Sequence, residues 1–401
     1  MKTIVLFLLF IPSLVIAQST ITGKVLNASD KTPVPFASVF LSNSLVGAKT
    51  NDDGSFTLNN VKAGQYDLVI SFIGFETHHQ TVTVSNNVLA LPDILITPKN
   101  TTLKEVTIGP PDPKRDQNLQ VFINEFLGHS VNAQNCTIKN TDDINLSYNA
   151  HARILSASSD DFLIIENKAL GYIVKYQLGK FIKNYAQGFL YYEGSVLFEE
   201  MKGKPAQQKR WLKARQQVYK GSDMHFFRSI YGNNLQEQGF KVLRLIRKTN
   251  PARPPDSLIR AKLRLYGPFS KAQPGWADSA KVWSAKYKLP KALEYLVSKP
   301  MPIADYVIQT DNKAILALKY TDYLYVIYTK RSNADNNGSI YHPLDMPTYP
   351  STIIGLNLPY AVFDSNGILG NPTSTTVEGD WAGHGVADLL PVDYEPLISK
   401  P

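Results

Sequence analysis

The residues whose types and spacing could do chemistry fall into three short polar clusters and one long basic stretch. The first cluster is NDDG, residues 51–54, where acidic side chains lead to a glycine. A calcium loop of the EF-hand kind needs oxygen ligands at alternating positions, a distant Glu and flanking helices. NDDG lacks the alternation, and SFTL after it has the character of a strand. We therefore predict a β-turn with Gly54 at positive φ, and keep weak cation binding as the alternative.

The second cluster lies in EGDWAGHGVADLLP, where Asp380, His384 and Asp388 are four residues apart. On a helix this spacing would place the three side chains on one face, like metal ligands. Three glycines in the segment argue against a helix. We expect a packed tail, with a metal or general-base site as the alternative.

The third cluster is GSDMHFFRS, where Ser222, His225 and Arg228 are three residues apart. Ser222 is expected to cap a helix on which His225 and Arg228 share a face. Such a face could bind an anion or a carboxylate, with Arg228 as a forked donor. The interpretations are, in order, a structural polar cluster, a ligand site and catalysis.

The basic stretch covers residues 202–264, which contain 16 Lys and Arg against three acidic residues. Such an excess attracts anions. Its segment KRWLKARQQVY is predicted to be a helix that packs Trp211, Leu212 and Val218 inward. The cations that we predict to face a ligand are Lys209, Arg210, Lys213 and Arg215. A solvated helix face that binds nothing is the alternative.

The familiar catalytic motifs are missing from the sequence. None of the seven histidines is followed by a Glu three residues later, and no H-E-x-x-H occurs, so zinc peptidase ligands are absent. The sequence also lacks G-x-S-x-G, the P-loop and G-x-G-x-x-G. We therefore predict no catalytic residue, no metal and no cofactor.

Residues 20–96 contain short apolar runs separated by turn residues, which predicts an all-β domain. Both alternating faces of QYDLVISFIGF are largely apolar, which favours a central strand of a sandwich. The ordered segments ITGKV, PVPFASV, TNDDGSFTL and AGQYDLVISFIGF resemble the carboxypeptidase-like regulatory domain. That resemblance implies a transthyretin-like β-sandwich that serves as a non-catalytic accessory module.

The segment TTLKEVTI, residues 101–108, is similar to the one that follows such domains in TonB-dependent transporters of the outer membrane. A plug and a large barrel should come next, but the Pro-rich polar GPPDPKRDQN follows instead, and only about 290 residues remain. The chain ends in YEPLISKP rather than in an aromatic strand. We therefore reject a transporter.

Residues 116–401 mix helical and strand patterns. NLQVFINEFL is predicted to be an amphipathic helix, and DDFLIIENKALGYIVKYQLGKFI and GFLYYEGSVLFEEM are predicted to be strands. KAILALKYTDYLYVIYTKR is predicted to be a hairpin. We expect one α+β domain, or two. FLGHSVNAQNCTIKN, FLIIENKALGYIVKYQL and NPARPPDSL resemble exported proteins with the same regulatory domain in front, a family without an assigned activity.

The first residues, MKTIVLFLLFIPSLVIAQS, have the pattern of a secretory signal peptide cleaved after Ala17. No cysteine follows the apolar run, so we expect no lipoprotein anchor there, and no later run is long enough for a transmembrane helix. The protein is therefore expected in the periplasm or at the outer membrane. Its single cysteine, Cys136, excludes an internal disulfide. An inert buried thiol is expected, with intermolecular pairing or a reactive nucleophile as alternatives.

Together these patterns favour a non-enzymatic exported protein of the cell envelope. Its predicted parts are a signal peptide (1–17), a β-sandwich (18–97), a linker (98–115) and a basic α+β binding domain (116–401). The expected partners are an envelope protein, a glycan or an anionic lipid surface, and nucleic acid is not expected because its binding motifs are missing. The alternative is a hydrolase of uncatalogued type with His225 or His384 as base, which requires that histidine to line a concave pocket.

Overall fold

The chain folds into two compact units. The computed structural model describes residues 19–85, 87–99, 114–267, 275–332 and 349–397. The first unit runs to Met224 and takes in Asp364–Ile368 and the residues from Gly383 onward, and the second contains His225–Phe363 and Leu369–Ala382. The predicted signal peptide and most of the predicted linker lie outside the described residues. None of the described helices has the length and apolar character needed to cross a membrane.

A β-sandwich of two four-stranded sheets opens the first unit. Its strands are β1 (Ser19–Asn27), β2 (Ser38–Leu41), β3 (Gly47–Lys49), β4 (Ser55–Val61), β5 (Gly64–Ser71), β6 (His78–Val84), β7 (Leu89–Ala90) and β8 (Ile94–Ile96). One sheet has the order β4-β1-β7 with β8 also on β1, and the other has the order β3-β2-β5-β6. The central position predicted for β5 is confirmed: Leu68 and Ile70 enter the sandwich core, and Val69 on the other face is also fully buried.

The NDDG segment forms the predicted turn between β3 and β4. Gly54 has φ of 79°, and its N–H donates to the carbonyl of Asn51 at 2.9 Å. The N–H of Ser55 donates to Asp53 Oδ1 at 2.9 Å. The pKa of Asp53 is lowered mainly by the Ser55 hydroxyl and, to a smaller extent, by this backbone hydrogen bond. A Cβ on Gly54 would lie 2.5 Å from the carbonyl oxygen of Val25. The turn therefore requires glycine for both conformation and space.

A six-stranded antiparallel sheet follows in the same unit. Its strands are β9 (Cys136–Ile138), β10 (Ile144–Asn149), β11 (Ile154–Ser159), β12 (Phe162–Asn167), β13 (Tyr172–Asn184) and β14 (Phe189–Glu200). The order is β10-β11-β13-β12-β9, and β14 also pairs with β13. Helix α1 (Arg115–Leu127) covers the inner face, where Phe122 packs against Phe181 at 4.8 Å and Phe126 against Tyr176 at 4.9 Å. The helix and strands predicted here are confirmed.

The sandwich packs directly on the outer face of this six-stranded sheet. The segment after β2 also pairs with the edge of β14, where the N–H of Asn43 donates to the carbonyl of Val196 at 2.7 Å and the N–H of Phe198 donates to the carbonyl of Ser44 at 2.9 Å. The rings of Phe40 and Phe162 lie 5.5 Å apart. This packing explains why the second face of β5 is also apolar.

The second unit contains a five-stranded and a three-stranded sheet. Its strands are β15 (Phe240–Thr249), β16 (Ala292–Val297), β17 (Val307–Gln309), β18 (Leu316–Leu318), β19 (Tyr323–Tyr328), β20 (Ser351–Leu356), β21 (Ala361–Phe363) and β22 (Thr375–Gly379). The orders are β16-β15-β19-β20-β22 and β17-β18-β21. The predicted hairpin of β18 and β19 is wrong, because the two strands pair in different sheets.

Three helices complete the described α-helical content after α2 (Pro205–Tyr219), which lies in the first unit. They are α3 (Asp223–Tyr231), α4 (Asp256–Tyr266) and α5 (Trp276–Lys288). Rings from α3 and β15 form the centre of the second unit's core, where Phe226 lies 5.4 Å from both Phe240 and Trp381. The predicted fold class, a β-sandwich ahead of a larger α+β region, is confirmed.

Candidate functional site

Helix α2 is anchored from behind by its tryptophan. Trp211 is buried, and its Nε1–H donates to the carbonyl of Lys168 at 2.9 Å. The indole packs closely on two glycines. A Cβ would lie 2.2 Å from the nearest ring atom of Trp211 if added to Gly171, and 2.5 Å if added to Gly203. Gly171 also has φ of 72°. The two glycines therefore create the slot that fixes the helix.

Arg215 is a second anchor of α2 and does not face a ligand as predicted. Its Nε–H donates to the carbonyl of Leu170 at 2.7 Å, and its Nη2 donates to that of Gly171 at 3.2 Å. Its Nη1 pairs with Glu200 at 2.7 Å, and the guanidinium lies 3.8 Å from the ring centroid of Tyr172. The prediction that Arg215 faces a ligand is therefore wrong, because its buried guanidinium already binds these groups and stabilises the helix.

The opposite face of α2 carries the three other predicted cations. Lys209, Arg210 and Lys213 are exposed, and none of them forms an ion pair with a carboxylate in the described part of the chain. Leu212, expected to pack inward, is 42% exposed beside them, whereas Val218 packs against the core as expected. We call Lys209, Arg210 and Lys213 the α2 basic face.

Several other cations of the basic stretch pair with carboxylates. Arg244 Nε pairs with Asp322 at 2.8 Å, Arg247 binds Glu294 at 2.7 Å as well as Glu378, and Arg253 pairs with Asp256 at 2.6 Å. The carboxylates that pair with Arg244 and Arg247 lie outside residues 202–264. The sequence count therefore overstates the local field, because it omits carboxylates that folding brings in.

The Ser222 cluster is interior. Ser222 directly precedes α3, and its hydroxyl donates to the carbonyl of Tyr219 at 2.8 Å. His225 is only 4% exposed, with Nε2 3.1 Å from Gln238 Oε1 and its ring 4.9 Å from that of Phe240. Ser222 and His225 are both buried, so neither faces solvent as a ligand-binding interpretation requires. Arg228 is half-buried.

The cluster of Asp380, His384 and Asp388 does not lie on a helix. Asp380 belongs to the second unit and pairs with Arg331 at 2.8 Å, whereas His384 and Asp388 belong to the first. Asp388 accepts a hydrogen bond from Asn132 Nδ2 at 2.7 Å. Among the residues that the structure describes, no three His, Cys, Asp or Glu are grouped to hold a metal ion.

The glycines of this segment explain the packed tail that the sequence predicts. The backbone of His384 bridges to that of Gly128 at the end of α1, and the N–H of His129 donates to the carbonyl of Gly383 at 3.2 Å. A Cβ on Gly385 would lie 2.4 Å from the nitrogen of Gly128. The two backbones meet only because both positions are glycine.

Cys136 has a thiol that is poorly suited to react. Its Sγ lies 3.4 Å from the carbonyl oxygen of Asn132. Burial, with a smaller contribution from the charge of Asp388, raises the pKa of Cys136 to about 12. The thiolate needed for nucleophilic attack or exchange is therefore scarce at neutral pH.

A polar groove on the six-stranded sheet was missed by sequence reasoning. It has a volume of about 310 Å³ and lies where β10, β11 and β13 run side by side. Its polar lining residues are Asn145, Ser147, Ser156, Ser158 and Lys180. The signal that could have revealed it is the polar residue at every second position in INLSYN and ILSASS, which places these side chains on one face.

The front of the chain matches a known domain model. Residues 21–108 match the model of the CarboxypepD_reg-like domain. No curated protein matches the chain significantly.

Solved structures give weaker likenesses. A cohesin–X-dockerin complex from Acetivibrio cellulolyticus is 21% identical over 20% of this chain and 56% of its own, with a TM-score of 0.18. The 5-hydroxyisourate hydrolase of Klebsiella pneumoniae is 25% identical over 20% of this chain and 90% of its own, with a TM-score of 0.18. A putative membrane-associated protein of unknown function from Bacteroides fragilis is 9% identical over 86% of this chain and 90% of its own, with a TM-score of 0.17. The chain thus spans about half the length of the first of these, and such TM-scores carry no argument about function.

Proposed function

We propose that this protein is a non-catalytic component of the cell envelope that binds an anionic partner through the α2 basic face. The observation that carries the proposal is the contrast between the two sides of α2. Trp211 and Arg215 fix the helix to the six-stranded sheet, while Lys209, Arg210 and Lys213 form no ion pair with a described carboxylate.

A fixed helix with exposed cations is suited to binding anions. Ordering a loose segment costs free energy on association, and α2 is already ordered by its rear contacts. The cations are exposed, so their field falls off within a Debye length of about 8 Å at physiological salt. Binding through this face should therefore be fast and strongly salt-dependent.

The sandwich has a supporting role in this proposal. It packs on the outer face of the sheet that supplies two anchors of α2: Glu200 of β14, and Gly171 in the turn before β13. The CarboxypepD_reg-like domain would then act as a brace. The signal peptide predicted from the sequence supports an envelope location.

A hydrolase receives less support from the geometry. His225 is buried against Phe240, so in this conformation it has no route to a dissolved substrate. It therefore lacks the open setting that the alternative requires of a base. For His384 the structure shows that its backbone is engaged with the end of α1.

The test is capture of partners by the tagged mature protein from its own envelope fraction, at low and at high salt. The variant K209Q/K213Q removes two charges from the α2 basic face, and K31Q/K49Q removes two exposed charges from the sandwich. We expect the wild type and K31Q/K49Q to capture the partner only at low salt, and K209Q/K213Q to lose it. Salt-dependent capture that K209Q/K213Q retains in full would contradict the proposal.

A further inference from the structure

Helices α4 and α5 form a helical hairpin inserted between β15 and β16 of the second unit. The two helices pack on each other through an inward side: Ile259 is fully buried, and Tyr266 lies 5.6 Å from Trp276. An amphipathic helix needs one apolar face to pack against its neighbours. Helix α4 has a second apolar face in addition to the one that packs on α5.

The second apolar side of α4 faces solvent. Leu258, Ala261 and Leu265 are three and four residues apart, which places them on one face of the helix. Leu258 is 42% exposed and Leu265 is 48% exposed. We call these three residues the α4 stripe. On the helix, Lys262 borders the stripe on one side and Arg264 on the other.

The hairpin is strongly cationic. The described residues between 256 and 291 include seven Lys and Arg against two Asp. One of the two Asp residues, Asp256, already forms ion pairs with Arg253 at 2.6 Å and with Lys291 at 3.1 Å. The cations around the α4 stripe therefore greatly outnumber the local carboxylates.

We propose that the α4 stripe docks on the surface of an anionic phospholipid bilayer. Helix α4 would lie in the plane of the interface, with Leu258 and Leu265 at the boundary between headgroups and acyl chains. Lys262 and Arg264 would extend along the flanks to lipid phosphates. Anionic lipid attracts basic segments near its surface, and each Lys or Arg adds to this electrostatic part of binding.

A bilayer fits this surface better than an acidic protein does. In protein interfaces charged residues are depleted at the core and polar groups form a rim. In the hairpin, apolar and cationic residues instead alternate over both helices: Val282 is 52% exposed next to Lys281, and Tyr287 is 55% exposed between Lys286 and Lys288. Interleaved apolar and basic side chains are typical of helices that lie in a membrane interface.

The experiment is co-sedimentation of the purified full chain with vesicles of phosphatidylcholine alone and of phosphatidylcholine mixed with phosphatidylglycerol. We expect binding to the mixed vesicles only. The variant L258S/L265S should weaken that binding by about tenfold or more, because it removes the apolar contribution. L212S changes a leucine of matching exposure on α2 and should bind like the wild type.

Two further variants separate this proposal from the one made for α2. K262Q/R264Q should weaken binding to the mixed vesicles, and by more than K209Q/K213Q does. No binding to either vesicle, equal binding to both, or wild-type binding by L258S/L265S would each overturn the lipid proposal. Loss of binding in K209Q/K213Q but not in K262Q/R264Q would overturn it too, and would assign the contact to α2. Because L258S and L265S change exposed residues, circular dichroism is expected to show an unchanged fold.

Discussion

Asp67 of β5 and His79 of β6 are diagonal neighbours across the strand pair, with Asp67 Oδ2 2.8 Å from His79 Nδ1. The hydrogen bond to Asp67 raises the pKa of His79, against an opposing effect of partial burial. A histidine whose pKa is raised by folding stabilises the native state at a pH below its unfolded pKa. That contribution is lost as the pH rises through its folded pKa.

We expect the substitution Asp67→Asn to return the pKa of His79 toward its ordinary value. The free energy of unfolding of Asp67→Asn should then fall below that of the wild type in mildly acid solution, and the gap should close as the pH rises above the pKa of His79. NMR titration of the ring and urea unfolding at several pH values check both parts. A gap that widens toward alkaline pH would show that the pair does not act through histidine protonation.

Arg215 illustrates what sequence can and cannot predict at the scale of a residue. In KRWLKARQQVY the pattern predicts a helix, and the structure confirms it. The same pattern cannot distinguish Arg215 from Lys213, because the carbonyls of Leu170 and Gly171 that it binds lie more than 40 residues earlier. The burial of His225 was hidden for the same reason: Gln238 and Phe240 come from outside its own helix.

The position of α2 depends on two glycines whose contact with the helix cannot be predicted from the sequence alone. Gly171 lies in the turn between β12 and β13, and Gly203 lies between β14 and α2. Their lack of a Cβ lets the indole of Trp211 approach. Strands and helices could be predicted from periodicity, whereas the contact between a turn and a helix depends on the three-dimensional path of the chain.

We expect Gly171→Ala to destabilise the first unit more than Gly188→Ala does. Both glycines have φ near 70°, so each substitution costs about 1 kcal/mol for the left-handed backbone. Only at Gly171 does the new Cβ meet the indole, which should add about 1–3 kcal/mol, because the space at Gly188 is open. Chemical unfolding followed by far-UV circular dichroism gives the comparison. Equal losses would mean that Trp211 can move aside, and α2 would then not be fixed as inferred.

At the scale of the whole molecule, the sandwich shares a unit with the six-stranded sheet. The family match covers residues 21–108, but the first compact unit extends to Met224 and includes the end of the described chain. The N–H of Val392 donates to the backbone carbonyl of Asn43 at 2.8 Å, and the N–H of Leu45 donates to Asp393 Oδ2 at 2.6 Å. The strands of the sandwich could be predicted from their alternation of apolar and polar residues. Their packing partners could not be predicted, because contacts such as that between Leu45 and Asp393 join residues 348 positions apart.

A unit of this kind should unfold cooperatively, and the Gly54 turn provides the means to test it. Gly54→Val forces a β-branched residue to φ of 79° and places its Cβ against the carbonyl of Val25, which should cost about 2 kcal/mol or more. The control Gly74→Val imposes a similar φ where the space is open. Hydrogen exchange read by mass spectrometry can follow β5 in the sandwich and β13 in the sheet separately.

If the sandwich braces the sheet, Gly54→Val should raise the exchange rates of β5 and β13 together, and by more than Gly74→Val does. An independent module would behave differently, since β5 would exchange faster while β13 kept its wild-type protection. The two outcomes are distinguishable because β13 is more than 100 residues from the substitution and can sense it only through packing. Faster exchange confined to β5 would therefore remove the bracing role, while leaving the α2 basic face to be judged by its own binding experiment.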